Sequence, residues 1–511
     1  MAGSDLVDRV REVLAVDADA FQQQVWGDAE TVAAEIAAGT FDNPQAIVGL
    51  EYEFYAVSDD GSLARVPRRV LEFVGFEKEL GLHNAEMSTS PQPLNDDGLR
   101  AQEAEVKAKL RAAAEPMAAE GLHLVSDGMW TIPPEGETAR GYLTDSVNRD
   151  GVQVATNMSA SARYHAMANT DQPAGMRLDS PHVDLQADTV MPEALITSIQ
   201  PHYQVPQAVD LPTYFRYAVR LAGPLLALCA NSPVFPPDLY DEDATAEEIL
   251  ADAWRESRID VFETVLNVPG EQRKVRFPED LDSVEDAVDR VAADETIVPM
   301  PVEGGGRFDD EFAHWRRKHG TYWRWVRPVF GGASREDANA RIEFRPIAGQ
   351  PTVRDTIAVQ AAFAGLLENL PRTEHPVYDL DWETARENFY AAAKRGLDAD
   401  LEWVDADGDR VGDVRSVYAD VLEQAEAGLR RRGLSNEEAA KYLWPLRQRA
   451  RHEITPASWK RERIREALED GNGFENAVYA MQCEYIENQR ETLLSGSFAD
   501  WLGRGAELDD D

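Results

Sequence analysis

The feature that most constrains the fold is a strand-like segment that carries two carboxylates at its centre. Residues 47–57, IVGLEYEFYAV, are apolar apart from Glu51 and Glu53. Because side chains alternate across a strand, both glutamates lie on one face. The opposite face is apolar and consists of Val48, Leu50, Tyr52 and Phe54. Two anions about 7 Å apart on a partly dry surface repel each other unless a cation lies between them. The segment predicts a buried strand whose charged face needs a positive partner.

The same kind of polar stripe recurs in three further segments, HNAEMSTS, SIQPHYQV and ARIEFRPIA. Period-two spacing places three sets of polar residues on common faces: Asn84, Glu86 and Ser88; Gln200, His202 and Gln204; Arg341, Glu343 and Arg345. A single stripe of this kind is equally typical of an antiparallel sheet that has one solvent-exposed face and no functional site. Four stripes rich in Glu, His, Gln, Asn and Arg favour a shared site. Carboxylates with one imidazole are ligands that suit Mg²⁺ or Mn²⁺.

Strand and helix patterns follow one another in mixed order, which predicts an α+β fold with a mostly antiparallel sheet flanked by helices. Helices are predicted within 4–38, 99–120 and 244–266 and almost throughout the chain beyond Pro371. The segment that begins at Thr138 is expected to be a loop that runs into a helix around residue 160. The polar, Gly-rich segment 268–310 is typical of a mobile insert or lid. We therefore divide the chain into N-terminal helices (1–45), a catalytic domain with this insert (46–371) and a helical C-terminal region (372–511).

Charge excludes several classes of partner. The chain has 51 Lys and Arg against 93 Asp and Glu, a net charge of −42, which argues against sequence-independent binding to nucleic acid or anionic membranes. Only 8 of the 51 basic residues are Lys. An acidic, lysine-poor surface suits a salt-rich cytosol, and an acidic protein of an ordinary cell is the alternative.

The expected location is the cytoplasm. No apolar run is long enough to span a bilayer, and the first twenty residues are acidic where a signal peptide would be basic. Cys229 lies in the apolar segment GPLLALCANSP, and Cys483 is the only other cysteine. We expect both thiols to be reduced and no disulfide framework.

Five motifs, in order, resemble those of the glutamate–cysteine ligase family, in its carboxylate-amine ligase branch. They are GLEYEF, AEMSTSPQP, PHYQV, LLALCANSPVF with WRESRIDVF, and WVRPVF with RIEFRPIAGQPTVRD, between Val48 and Leu370. The resemblance implies an antiparallel sheet related to that of glutamine synthetase, which forms a funnel that holds divalent metals and ATP. It also implies an ATP-dependent ligase that joins a carboxylate to an amine through an acyl phosphate, glutamate and cysteine in the namesake reaction.

The resemblance also assigns residues. Glu51, Glu53 and Glu86 match metal-binding carboxylates, His202 the metal-binding histidine, and Glu343 the carboxylate of a late strand. Arg345 is expected to face the transferred phosphate, and we take Arg345 and Glu53 as catalytic. Arg258 and Arg327 match basic positions suited to nucleotide phosphate or substrate carboxylate. The implied cofactors are ATP and Mg²⁺ or Mn²⁺. Where many members have a His-x-His pair, this chain has His202 followed by Gln204.

Two alternatives stay open. One is a ligase of the same architecture with another acid and amine, and the other is a catalytically inactive ATP-binding regulator. Three weaker motifs favour structural roles. Residues 405–413, DADGDRVGD, lack the glycine and the closing glutamate of a calcium loop and predict an acidic hairpin turn. EGGGR at 303–307 is followed by no Lys-Ser or Lys-Thr, which favours a flexible loop over a phosphate cradle. His165 is as consistent with a buried structural role as with substrate contact.

Overall fold

A curled antiparallel sheet organises the molecule. The computed structural model describes residues 2–170, 176–267, 273–302 and 304–502, with side chains from residue 5 onward. Its strands are β1 (Ile47–Ser58), β2 (Leu63–Ala64), β3 (Glu77–Lys78), β4 (Asn84–Ser88), β5 (Gln92–Pro93), β6 (Leu122–Val125), β7 (Ser146–Arg149), β8 (Val152–Ala155), β9 (Met176–Ser180), β10 (Val183–Ala187), β11 (Ile199–Val205), β12 (Val326–Gly331), β13 (Asn339–Phe344), β14 (Trp403–Val404) and β15 (Arg410–Val411).

Helices surround this sheet and make up most of the C-terminal part of the chain. They are α1 (Ala2–Leu14), α2 (Ala18–Ala37), α3 (Arg68–Phe73), α4 (Asp96–Ala118), α5 (Ala139–Thr144), α6 (Ala162–Met167), α7 (Leu211–Cys229), α8 (Ala246–Asp252), α9 (Ser257–Val265), α10 (Val284–Ala293), α11 (Ala313–His319), α12 (Val353–Thr373), α13 (Trp382–Arg395), α14 (Val414–Arg431), α15 (Asn436–His452), α16 (Pro456–Glu469), α17 (Phe474–Thr492) and α18 (Ala499–Leu502). Short 3-10 helices span Met191–Leu195, Ala208–Asp210, Pro237–Leu239, Phe308–Phe312, Pro376–Asp379 and Gly396–Asp398.

Strand β1 is the centre of the main sheet, whose order is β12-β13-β11-β1-β4-β3. The short strands β2, β5 and β6 also pair with β1, and all of these pairings are antiparallel. The predicted α+β class with an antiparallel sheet is therefore confirmed.

The rear face of the sheet is apolar and is covered by helices. Val48, Leu50, Tyr52 and Phe54 are at most 2% exposed. Helix α12 packs against this face, where the rings of Phe344 and Phe363 lie 4.5 Å apart. Burial of such side chains is the main favourable contribution to folding and fixes which face of the sheet is free to carry polar groups.

The C-terminal helices contribute buried polar groups to this core. Helices α14 and α15 pack on α12. On α16, Lys460 forms a buried ion pair with Asp127, and on α17 Gln489 donates to the carbonyl of Ser126 at 2.6 Å. The apolar core is continuous from Leu6 to Trp501.

Three parts of the chain differ from the predicted elements. The helix expected at 244–266 is divided into α8 and α9, because the backbone N–H groups of Arg255 and Glu256 donate to α13 carbonyls instead of continuing a helix. The segment before residue 160, expected as a loop, contains the hairpin β7–β8. Within the insert 268–310, α10 buries an apolar face and packs on α2, so the described part of the insert is not an irregular lid. Residues 268–272 and 303 lie outside the described residues.

Several smaller predictions can also be compared with the structure. The acidic turn at 405–413 is a hairpin, β14–β15. Cys229 is buried, Cys483 is exposed, and both are free thiols. Among the described residues, none of the helices has the length and apolar character needed to cross a bilayer.

Candidate active site

The strand register brings the four polar stripes onto one face of the sheet. Glu53 lies directly opposite Glu86, and Glu51 opposite both Gln200 and Ser88. His202 lies between Gly49 on one side and Glu343 on the other. Because directly opposed residues of antiparallel strands share a face, these side chains converge above β1, β4, β11 and β13. The sequence prediction of one convergent polar face is therefore correct.

One group of ligand-type atoms on this face belongs to Glu51, His202 and Glu343. A carboxylate oxygen from each glutamate and a ring nitrogen of His202 all lie within 4.8 Å of one another. His202 Nε2 lies 3.4 Å from Glu51 Oε1, and this buried nitrogen has no hydrogen-bond partner among the described residues. Gly49 has no side chain to fill the space beside His202. The donor set and the unpartnered nitrogen fit a divalent cation.

A second acidic group contains Glu53, Glu86 and Glu79. Glu53 accepts hydrogen bonds from Ser198 N at 2.7 Å and from Gln200 Nε2 at 2.9 Å. Glu79 lies near Glu86 and contributes to the raised pKa of that carboxyl group. The five predicted metal ligands are thus divided between two groups, and Glu53 and Glu86 are not part of the cluster around His202.

Arginines border both groups. Arg345 Nη1 donates to Glu343 Oε1 and to Gln200 Oε1, each at 2.5 Å. Arg327 Nε donates to Glu343 Oε2 at 2.9 Å. Arg258 is buried, with its Nη2 donating to the carbonyl of Arg345 at 3.0 Å and its guanidinium 5.2 Å from the Trp325 ring. The three predicted basic residues therefore lie together at the site.

Burial and mutual repulsion raise the pKa of three carboxyl groups. Burial, then the charge of Glu79, raises the pKa of Glu53 to about 7. Burial, followed by Glu51 and Glu79, raises the pKa of Glu86 well above its usual value. Burial, followed by Glu79 and Glu53, raises the pKa of Glu193 to about 8. Burial is the largest cause in each case, and the neighbouring carboxyl groups add to it.

The pKa of Glu343 is shifted in the opposite direction. Burial alone would raise it, but the adjacent Arg327 and Arg345 hold the pKa of Glu343 well below its usual value. Burial likewise opposes ionisation of Glu51, yet the neighbouring His202 and Arg345 lower its pKa. Both carboxyl groups beside His202 are therefore ionised, as cation ligands must be.

A cavity of about 390 Å³ opens beside the Glu51–His202 group. Ile47 and Val329 line its apolar part, and Arg307, Arg316 and Arg341 are among its basic residues. Arg341 Nε lies 3.3 Å from His202 Nδ1. The cavity joins an apolar surface and a basic wall to the candidate metal group, a combination typical of sites for anionic ligands that carry a ring system.

Sequence reasoning missed Glu79 and Glu193. Glu79 lies in the connection between β3 and β4, and Glu193 lies in the 3-10 helix Met191–Leu195. Neither position belongs to a period-two stripe, so periodicity gave no signal for either. Arg341 was placed on the polar stripe but given no role. His165 is buried and its Nε2 donates to the carbonyl oxygen of Ser159 at 3.1 Å, which favours its structural role.

Comparison with known proteins identifies the family. A family model described as glutamate–cysteine ligase family 2 (GCS2) matches residues 47–485. The chain belongs to glutamate–cysteine ligase family 2. It is accordingly an ATP-dependent carboxylate–amine ligase of the glutamate–cysteine ligase type. The family match continues past Leu370 and includes helices α13 to α16 and most of α17. No match is found among curated proteins.

Two solved structures are similar to this family member. One is the glutamate–cysteine ligase of Francisella tularensis in complex with AMP, with TM-score 0.50, 13% identity, and coverage of 89% of this chain and 91% of that chain. The other is a bifunctional glutathione synthetase from Pasteurella multocida, with TM-score 0.49, 13% identity, and coverage of 92% and 56%. At such identity the likeness to the first structure indicates a shared fold.

Proposed function

We propose that this chain joins the side-chain carboxylate of an amino acid, glutamate in the namesake reaction, to an amine, cysteine in that reaction, at the expense of ATP. The observation that carries the proposal is the convergence of Glu51, His202 and Glu343 within 4.8 Å beside a basic cavity. Such a group suits a divalent cation under a triphosphate. The second acidic group lies on the same face, where the acid substrate would meet the γ-phosphate.

A divalent cation fits the first group, whose ligand-type atoms lie within 4.8 Å of one another. Glu51, His202 and Glu343 would hold one, and Glu53, Glu79 and Glu86 would hold another. The raised pKa values of Glu53 and Glu86 support the second assignment, because a bound cation would remove the repulsion that raises them. Bound Mg²⁺ or Mn²⁺ would supply neutralisation of phosphate charge.

The nucleotide would occupy the 390 Å³ cavity, with its base against the apolar wall and its phosphates toward Arg341 and the His202 group. The acid substrate would lie at the opposite end, near Arg258 and Glu193. In the reaction, the substrate carboxylate attacks the γ-phosphate, ADP leaves, and the amine then displaces phosphate from the acyl phosphate.

The residues of the chain contribute position and charge. Arg345 lies between the two acidic groups, where its guanidinium can stabilise charge on the phosphoryl group during transfer. Glu343 fixes the orientation of both Arg345 and Arg327. Since these side chains project from paired strands, the reactants would be held with little freedom.

The decisive experiment is an ADP-release assay in concentrated KCl with Mg²⁺ and ATP. We expect release that requires both glutamate and cysteine. A panel of other amino acids and amines, tested in pairs, is the necessary control for substrate identity.

Release with another pair only would retain the ligase chemistry and correct the substrates. Binding of ATP with Mg²⁺ but no release with any pair would refute the proposal and favour an inactive regulator.

A further inference from the structure

A groove on the C-terminal helices has properties that ligase chemistry does not use. Helices α14 and α15 are joined by a short turn, and a groove of about 830 Å³ lies along them. Its floor contains the buried Tyr418, Leu422 and Ala450. Helix α12 lies between this hairpin and the sheet, so the groove and the catalytic cavity are on opposite sides of α12. Its volume is that of a small-molecule site.

The charge of this groove is opposite to that of the whole chain. Four arginines and two glutamates line it, and Arg415 Nε also lies 3.8 Å from Glu453 Oε1; the lining residues are Arg415, Arg430, Arg447, Arg451, Glu423 and Glu426. The chain as a whole has 93 acidic and 51 basic residues. A concave surface lined by one sign of charge attracts counter-ions more strongly than isolated charges do. The groove is therefore a local positive centre on an anionic protein.

Glu426 holds two of these arginines in place. It accepts a hydrogen bond from Arg447 Nη2, and its Oε1 lies 4.0 Å from Arg430 Nε. Arg430 Nη1 also donates to Asn436 Oδ1 at 3.4 Å. Each guanidinium carries five N–H donors, so a single carboxylate leaves donors of both arginines for other oxygen atoms. Ordering two long side chains in advance lowers the entropic cost of binding.

We infer that the α14–α15 groove binds a small polyanion with at least two phosphate or carboxylate groups. Guanidinium groups bind such groups through paired N–H donors. The apolar floor would cover the uncharged part of the ligand. This site is independent of the proposed ligase reaction.

Titration calorimetry of the full chain with tripolyphosphate tests the inference. Measurements in EDTA, at the lowest KCl concentration that leaves the circular dichroism spectrum unchanged, limit screening. The arginine-lined cavity beside His202 is a second place where the probe can bind, and the matched variants distinguish it from the groove. We expect one bound anion per chain and a loss of affinity of about tenfold or more in R430Q/R447Q. A parallel titration with citrate shows whether carboxylates serve as well as phosphates.

Two matched variants control this result. R463Q/R465Q removes the same charge from α16, outside the groove, and should bind tripolyphosphate like the wild type. R345Q removes an arginine that borders both acidic groups of the candidate active site and should also leave this binding intact.

A gain of affinity excludes misfolding as the explanation. Glu423 is an exposed glutamate of the groove, and E423Q should strengthen binding severalfold because it removes repulsion. The inference is wrong if neither anion binds the wild type, if R430Q/R447Q binds as well as the wild type, or if R345Q alone abolishes binding.

Discussion

Among the residues of the candidate active site, Glu53 has surroundings that define its role most closely. Both of its oxygens accept hydrogen bonds, from Ser198 N and Gln200 Nε2. Its pKa of about 7 results from burial and from Glu79. A bound cation would stabilise the ionised form of a carboxyl group that is fixed among other carboxyl groups. Substitution of Glu53 is therefore the most direct test of the proposed metal groups.

We expect Glu53→Gln to lower turnover by roughly 100-fold or more, because it removes one cation ligand and keeps the side-chain shape. ADP release at saturating substrate, with a Mn²⁺ titration, measures both effects. Glu30→Gln, at an exposed position of α2, is the matched control. Full activity in a folded Glu53→Gln variant would contradict the role.

Glu193 offers a test that depends on pH. Its folded-state pKa of about 8 exceeds the value of about 4.3 expected in an unfolded chain. The folded state therefore binds the proton more tightly, and wild-type stability falls as pH rises through this interval. Glutamine does not titrate. The melting temperature of Glu193→Gln minus that of wild type should increase between about pH 5 and about pH 9, by on the order of 2–4 °C in EDTA.

A difference that stays constant over this range would show that Glu193 is not held in a low-dielectric, negative environment. Glu30→Gln should give a flat difference, since its carboxyl is exposed.

Sequence reasoning found the residues that lie on regular strands and missed those that do not. Glu51, His202 and Glu343 were predictable because period-two spacing fixes the face of each side chain. Glu79 and Glu193 reach the second acidic group from a connection and a 3-10 helix, where no repeat fixes orientation. The division of the predicted ligands into two groups depends on strand register, which the sequence of a single strand does not state.

At the level of elements, helices α12 and α14 cross at a pair of glycines. A Cβ added at Gly428 would lie 1.8 Å from the carbonyl oxygen of Gly365. The two backbones therefore approach as closely as they do only because neither residue has a side chain. Helix α12 covers the rear of the sheet that carries the catalytic face, so this crossing sets the position of the C-terminal helices against it.

Gly428→Ala should destabilise the protein by about 1–3 kcal/mol, because the backbones must separate to admit the methyl group. Thermal unfolding monitored by circular dichroism measures the effect. Gly27→Ala is the matched control, since an added Cβ in α2 meets nothing within 4 Å. It should be neutral or stabilising by up to about 1 kcal/mol. Equal melting temperatures for both variants would show that the crossing can relax.

The predictions of secondary structure were wrong where tertiary contacts override the local sequence pattern. The sequence 244–266 has the composition of one helix, yet Glu256 at its break is fully buried and accepts from Asn231 N at 2.8 Å. The insert was predicted to be irregular because glycines and prolines flank α10. The apolar face of α10 can be recognised only from its packing on α2.

At the scale of the whole molecule, the C-terminal helices are attached to the sheet by buried charges. Lys460 binds Asp127 and donates to Asn231 O at 2.9 Å. The other oxygen of Asp127 accepts from Tyr55 of β1 at 3.2 Å and from Gln482 of α17 at 3.0 Å. Residues from both sides of the expected boundary at 371 thus share one polar network, in line with a family match that extends to residue 485.

Lys460→Met should lower the stability by about 3–5 kcal/mol, because Asp127 would be left charged and buried without its partner. Urea unfolding in concentrated KCl measures the loss, with exposed Lys441→Met as the control. Adding Asp127→Asn to Lys460→Met should recover part of it. A midpoint unchanged by Lys460→Met would mean that the pair contributes nothing to holding the helices.

These buried ion pairs also determine how dissolved ions act on the protein. Lys460 with Asp127 and Arg449 with Asp355 are each at most 2% exposed, so mobile ions cannot come between the partners. The surface carboxylates, in contrast, are in contact with the solution. Lowering the salt concentration would therefore destabilise the surface first, because repulsion between its carboxylates would no longer be screened. The buried ion pairs between the sheet and the C-terminal helices would stay intact.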